Sequence, residues 1–372
     1  MPHRTPAHHP DLRLARIEQA RHSVLQARGP SPAAWLDPAI ERSWRRCLAL
    51  GHEPQHAVAF QPVSDGQLKR AVEASQPLLN VAMPVIHTLA RAMLHTRYFA
   101  ILTDAKGTAL QVHGPVDRHD PVARAIARVG VDLSEAAVGT TAISTTLAEQ
   151  QAVWLHRGEH FFDHTSMFSC AGAPIVGPDG QCAGMLDLTG VNVVEQPALK
   201  HLVMQSARSI ENAMTLSLSH RWLLRLNWPG RVLGDDNDGL VAVDGDGFII
   251  GMNRPARDML GIHPAASGGH CSEVFAIEPR ELFDAARQHR SEMEVPLWSG
   301  LRLQVLVQPQ TAQAGSRSSP RSTHAVPLKD HETALIHKAV QDAGGHVDEA
   351  ARALGISRAT VYRRLRSRKP GA

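Results

Sequence analysis

Residues 344–368 read GGHVDEAARALGISRATVYRRLRSR, and the rest of the chain is organised around how this stretch folds. Val347, Ala350, Ala351 and Leu354 recur at i, i+3, i+4 and i+7, the spacing of one buried helix face. Small alanines on that face let a second helix cross closely. Gly355 stands where the first helix should stop, because glycine takes a positive φ without a Cβ penalty. Ser357 is placed to N-cap a second helix whose inward face is Val361 and Leu365. Two short helices meeting at a Leu354-Gly355-Ile356 corner define a helix-turn-helix, with the second helix as the reader of a DNA major groove.

The charge pattern agrees. Arg358, Arg363, Arg364, Arg366, Arg368 and Lys369 fall within a dozen residues with no acidic side chain among them, while the whole chain carries only +3. A basic run alone is often just a solvated helix face. Joined to the corner, the cap and the core spacing, it becomes a phosphate-binding stripe. The residues expected at DNA are Ser357, Arg358, Ala359, Thr360, Tyr362, Arg363, Arg364, Arg366 and Arg368. The first turn is expected at base edges, with Arg358 and Arg363 as the candidates for bidentate contact with guanine, and Arg366, Arg368 and Lys369 are expected at phosphates.

The stretch from Leu328 to Arg368 resembles the Fis-type helix-turn-helix of bacterial enhancer-binding activators. The family's GGN reads Gly344-Gly345-His346 here, and its LGISR-x-T-x-YRRL is present in full. The resemblance implies a preceding helix at 328–343 through which such modules dimerise, with Leu335, Ile336, Ala339 and Val340 apolar. Those activators carry a large ATPase domain before the DNA reader. No Gly-x-x-x-x-Gly-Lys-Ser/Thr loop exists in this chain, so ATP-driven remodelling of sigma-54 polymerase is not expected.

With 372 residues, two or three domains are expected. The four cysteines, Cys47, Cys170, Cys182 and Cys271, form no CxxC pair and read as thiols of a reducing cytoplasm. No run approaches the roughly 18 apolar residues of a membrane span, and the first residues lack the apolar core of a signal peptide. A cytoplasmic protein without membrane contact is expected.

Upstream, the pattern predicts an N-terminal helical extension over 1–64, with helices at Leu14–Gln26 and, capped by Asp37, at 38–51. Trp44 reads as a packing anchor. Residues 65–220 read as an α/β unit: a helix from Gln67 to Leu94, strands Phe99–Thr103 and Thr108–Val112 about the turn Asp104-Ala105-Lys106-Gly107, a loop and helix, a second strand pair about Gly177-Pro178-Asp179-Gly180, and a closing helix at 197–218. This order is similar to a GAF domain. IERSWRRCLALG, EAAVGTTAISTTLAE, GEHFF and SCAGAPIVGPDGQCAGMLDLTG resemble the acetoin-catabolism regulators in particular. Thr141 and Ser144 replace that family's Asn and Gly at the lip of the expected pocket. The resemblance implies a ligand-contacting set of Thr141, Glu159, His160, Phe161, Cys170 and Asp187, and an effector such as acetoin, glycerol or a related metabolite.

Residues 232–309 carry strands Leu240–Val243 and Phe248–Gly251 about Asp244-Gly245-Asp246-Gly247, then a helix capped by Asn253. This is similar to the start of a PAS domain, with later strands at 291–297 and 301–307. Polar residues 310–326 read as a flexible linker, and 327–372 as the DNA-binding domain. The expected fold is therefore α+β and multidomain: a GAF-like α/β sensory domain, a PAS-like α/β domain and an all-α Fis-type helix-turn-helix. The expected function is a dimeric one-component regulator binding a double-stranded operator under control of a small molecule, with RNA polymerase as a further partner. Two other readings stand beside it: a ligand-independent architectural or competitor protein at enhancer sites, and a metal-dependent enzyme built on His156, His160 and His164. Against the last, Gly158 interrupts any helix that would align the three imidazoles. No catalytic motif is present, and no cofactor is expected.

Overall fold

Alternating and helical patterns in the first 310 residues build two five-stranded antiparallel sheets in a computed structural model, which describes residues 10–26, 36–263, 269–287, 292–310 and, further on, Val340, Val347, Asp348, Ala351, Arg358 and Val361. The chain divides into two compact units, one ending at Gln310 and the other beginning at Thr311.

Helix α1 (Pro10–Arg21) runs into a π-helical turn at His22–Gln26. Helix α2 (Pro38–Ala49) begins where the Asp37 carboxylate accepts from the Ala39 amide at 2.9 Å. Its Trp44 is fully buried, the packing anchor expected of it. The single helix expected from Gln67 to Leu94 is two: α3 (Asp65–Ala74) and α4 (Gln76–Ala92). Pro77 lacks the N–H that would continue the α3 ladder, so the chain breaks at Ser75 and restarts with proline in its first turn.

The first sheet comprises β1 (Tyr98–Asp104), β2 (Ala109–His113), β3 (Val153–His156), β4 (Phe168–Val176) and β5 (Cys182–Val191), in the order β2-β1-β5-β4-β3. Between β2 and β3 lie the short helices α5 (Pro121–Ile126), α6 (Glu135–Val138) and α7 (Ala142–Glu149). The β1–β2 turn is held by Asp104, whose carboxylate accepts from the Lys106 and Thr108 amides at 2.9 and 2.8 Å, with Gly107 at φ +90°. One face of the sheet buries Tyr98, Ala100, Leu102, Leu186 and Leu188 against α4 and the long α8 (Ala198–Leu216). The other buries Phe99, Ile101, Phe168, Cys170 and Met185 with Trp44, Ile143 and Phe161.

The second sheet comprises β6 (Trp222–Asn227), β7 (Gly239–Val243), β8 (Ile249–Met252), β9 (Met293–Pro296) and β10 (Arg302–Pro309), in the order β8-β7-β6-β10-β9. Helices α9 (Arg254–Leu260), α10 (Cys271–Val274) and α11 (Pro279–Arg287) supply its other elements. Asn253 caps α9 as expected, its side-chain oxygen accepting from Ala256 N at 3.0 Å. The central strand β6 lies before residue 232, at which the sequence reading begins this unit. WLLRLN is an apolar run without clean alternation, which hides a strand flanked on both sides.

Candidate sensory interior and nucleic-acid-binding segment

Side chains alternate across a strand, so Met185, Asp187, Thr189 and Val191 of β5 share one face. That face is the one closed by α2 and α7, and register sets Asp187 opposite Gly172 and Ile101, and Thr189 opposite Cys170 and Phe99. Asp187 is completely buried. One carboxylate oxygen accepts from the Thr189 hydroxyl, and the other, Oδ1, has no partner among the described residues. Burial pushes this carboxyl up to about 7, with the Thr189 hydrogen bond pulling the other way. The Cys170 sulfur lies 3.3 Å from Thr189 Oγ1, and burial raises its thiol well above the usual range, so it stays protonated. Gly172 is tightly enclosed. A Cβ there would stand 2.7 Å from Met185 Cε and 2.8 Å from Thr146 Oγ1, itself a buried hydroxyl without a partner among the described residues.

The Glu159-His160-Phe161 turn lies under α1. The Glu159 carboxylate receives two N–H bonds of 3.0 Å from Arg13 and a 2.7 Å bond from the His156 amide, while its carbonyl accepts from the Trp44 indole at 2.8 Å. Burial raises the Glu159 carboxyl, and the Arg13 charge opposes that rise. Arg13 also lies 3.9 Å over the Trp154 ring, and Arg21 donates to the carbonyls of Gly158, His160 and Phe161. His160 is fully buried. Its Nδ1 sits 2.9 Å from the Arg157 carbonyl and its Nε2 has no partner among the described residues. Burial drives both His156 and His160 down to about 4, leaving neutral rings. His164 is exposed on a separate turn, and among the described residues no group of three or more His, Cys, Asp or Glu side chains could hold a metal ion.

Thr141 caps α7. Its hydroxyl accepts from Ser144 N at 3.1 Å, and Ser144 Oγ accepts from Thr141 N at 2.9 Å. The two departures from the acetoin-regulator pattern thus form one reciprocal cap. All six residues expected to meet a ligand are buried, and none lines the surface cavities of about 760, 240 and 940 Å³. Sequence reading missed Arg13, Arg21 and Thr189. The two arginines lie eight residues apart on one helix face, but nothing local says that the face meets residues 157–163.

In the second unit the described residues are helical. Ala351 and Val361 are buried, and Val340 and Val347 pack against them, as the helical spacing predicts. Arg358 is exposed, with its guanidinium 2.7 Å from the Asp348 carboxylate. An exposed pair of this kind adds at most about 1 kcal/mol. Ser357, Ala359, Thr360, Tyr362, Arg363, Arg364, Arg366 and Arg368, with Ala350, Leu354 and Leu365, lie outside the described residues.

A mixed α/β body joined to such a C-terminal segment is the layout of a bacterial regulatory protein, and residues 327–367 match the Fis family of bacterial regulatory proteins. Residues 15–212 match the MimR N-terminal domain, and the chain belongs to that family. It is 28% identical over 255 residues to the acetoin catabolism regulatory protein of Cupriavidus necator, covering 67% of this chain and 38% of that one. A signal-transduction and transcriptional-control protein of Clostridium beijerinckii is 26% identical over 226 residues, 60% of this chain and 36% of its own length. The chain thus spans well under half the length of these relatives. The structure of the E. coli DhaR(N)–DhaL complex aligns with a TM-score of 0.46 and 16% identity, covering 73% of this chain and all of that one. The resemblance to acetoin-catabolism regulators read from residues 135–190 is borne out by these matches. Among the described residues no helix is long and apolar enough to cross a membrane.

Proposed function

We propose that the chain is a cytoplasmic one-component transcriptional regulator that binds operator DNA through residues 327–372 as a homodimer and has no catalytic activity. The observation that carries this reading is the Fis-family segment at 327–367, whose Ala351–Val361 contact is the core that a helix-turn-helix needs. Dimerisation follows from recognition itself, since one such module offers few base contacts and two half-sites multiply the discrimination.

The first sheet, with its hairpin–helix–hairpin–helix order, supports a GAF-like sensory domain. The second, with its strand-turn-strand-Asn253-helix start, supports a PAS-like one. Thr141, Phe161, Cys170 and Asp187 border one interior, and the unpartnered Asp187 oxygen supports contact there with a small polar effector. The names of the relatives make acetoin a candidate. The effector biases the relative placement of the two reading heads, and RNA polymerase responds to the result. Footprinting with and without acetoin tests this directly. Protection that changes with the effector upholds the regulator; effector-independent occupancy supports a competitor at enhancer sites instead. Retention of DNA by protein lacking residues 327–372 would overturn both.

A further inference from the structure

A cavity of about 760 Å³ opens between the α3–α4 corner and the β1–β2 turn, within the size range of small-molecule sites and apart from the buried interior described above. Its two walls carry opposite charge. The helical wall presents Arg70, which has no carboxylate partner among the described residues, and the start of α4, a helix of 17 residues whose N-cap side chain makes no capping bond. That N-cap is Ser75. The residue is only 8% exposed, lines the cavity, and its hydroxyl makes no hydrogen bond among the described residues. A helix N-terminus, an unpartnered hydroxyl on the cavity wall and an arginine together match a carboxylate.

The facing wall is acidic. Asp104 and Asp132 each spend one oxygen on turn amides (Lys106 and Thr108 for the first, Ser134 for the second), and their other oxygens have no donor among the described residues. Lys106 stands on the same turn, so this wall carries one net negative charge against one net positive charge opposite. The wall is rigid before any ligand arrives: Asp132 N donates to Gln61 O and Leu133 N to Gly107 O, both at 3.0 Å. Leu78, Ala183 and Met214 add an apolar surface between the two.

From this we infer that the cavity binds a zwitterion, an α-amino acid with an apolar side chain. Its carboxylate lies against Ser75, Arg70 and the first turn of α4, its ammonium against Asp104 and Asp132, and its side chain against Leu78 and Met214. This deepens the sensing role proposed above and rests on it. Met214 belongs to the last turns of α8, so an occupant touches the helix that leads into the second sheet.

The test is calorimetric titration of the full chain with each standard L-amino acid, then with the matching amine and the matching deaminated acid of any that binds. An apolar amino acid is expected to bind, and loss of either charged group should weaken binding at least about tenfold. Arg70→Ala and Asp132→Asn should each weaken it similarly, while Arg91→Ala, away from the cavity, should not. Circular dichroism melts of each variant identify any that lose binding through unfolding, and the ligand analogues then decide. Absence of binding by every amino acid, or equal binding of the amine or the acid, overturns the inference. DNA retention measured on the same samples separates the two ideas. An acetoin effect on retention without amino-acid binding removes this site and leaves the regulator standing; amino-acid binding by a chain that retains no DNA does the reverse.

Discussion

Asp187→Asn is the perturbation whose outcome the structure specifies most closely. Burial raises the Asp187 carboxyl from its ordinary 3.8 to about 7, so the folded chain holds a proton that the unfolded chain releases. A group raised in this way contributes its full stability below the unfolded value and loses it as pH climbs through about 7. At 1.36 kcal/mol per unit, a shift of about three units gives roughly 4 kcal/mol between acid and alkaline limits. His156 and His160 act in the opposite sense. Held down to about 4, they must stay neutral in the fold, so their contribution is lost as pH falls from 6.5 toward 4. The two effects partly cancel in the wild type, and the difference between wild type and variant isolates the aspartate. The amide keeps an acceptor for the Thr189 hydroxyl but sets N–H donors where Oδ1 had no partner, a pH-independent loss of about 1–3 kcal/mol. The stability of the variant relative to wild type should therefore rise by roughly 2 kcal/mol between pH 5 and 7 and level off above that. All six tryptophans precede residue 311, so urea unfolding followed by tryptophan emission reports on this unit alone. A difference that stays constant from pH 5 to 8 would refute the assignment of a buried, proton-holding carboxyl.

Trp44→Ala empties a fully buried site and leaves the Glu159 carbonyl without its indole donor; a loss of about 3–5 kcal/mol is expected in a circular dichroism melt. Arg13→Ala strands the buried Glu159 carboxylate and should destabilise by about 3–5 kcal/mol at neutral pH, with Glu159→Gln in the same chain restoring part of it. In the second unit, Val361→Asp puts a charge into the Ala351–Val361 core; DNA retention should vanish while tryptophan emission is unchanged. Arg363→Ala should abolish specific operator retention with the far-ultraviolet circular dichroism intact, whereas wild-type affinity would remove that arginine from the recognition surface.

Much of the body was legible because its signals are local. The Asp104–Gly107 turn, the caps at Asp37 and Asn253 and the spacing of Val347, Ala351 and Val361 each depend on residues within one turn or one helix repeat. The break at Ser75 was also local, since Pro77 announces it, yet the long apolar periodicity on either side reads as one helix. Strand β6 is another matter. An apolar run with neighbours on both edges has no alternation to display, and its central place depends on β7 and β10 arriving later in the chain. The candidate site divides in the same way. Glu159, His160 and Phe161 were found through a family word, while the partners that bury and orient them, Arg13 and Arg21, come from more than 130 residues away. Thr141 shows how a substitution changes role: with Ser144 it makes a cap that Asn and Gly would make differently.

The arrangement of α8 explains how events in the first sheet can reach the second. One side of the helix buries Leu199, Val203, Ala207 and Ile210 on the first sheet. The next residue round, Glu211, is buried and accepts from the Val176 amide of β4 at 2.8 Å and from Arg254 of α9 at 3.2 Å. Asn212 accepts from the Asn253 amide at 2.8 Å and donates to the Asp236 carbonyl at 3.0 Å. Asn253 in turn donates to the Asp238 carbonyl and accepts from the amide of Leu240. A sideways shift of α8 cannot be absorbed by solvent at these positions, because each group would lose a buried partner, at about 1–3 kcal/mol apiece. The strand β7 and the cap of α9 must then move with the helix. Buried polar junctions of this kind specify one relative placement of two packed layers where apolar contacts alone would let them slide.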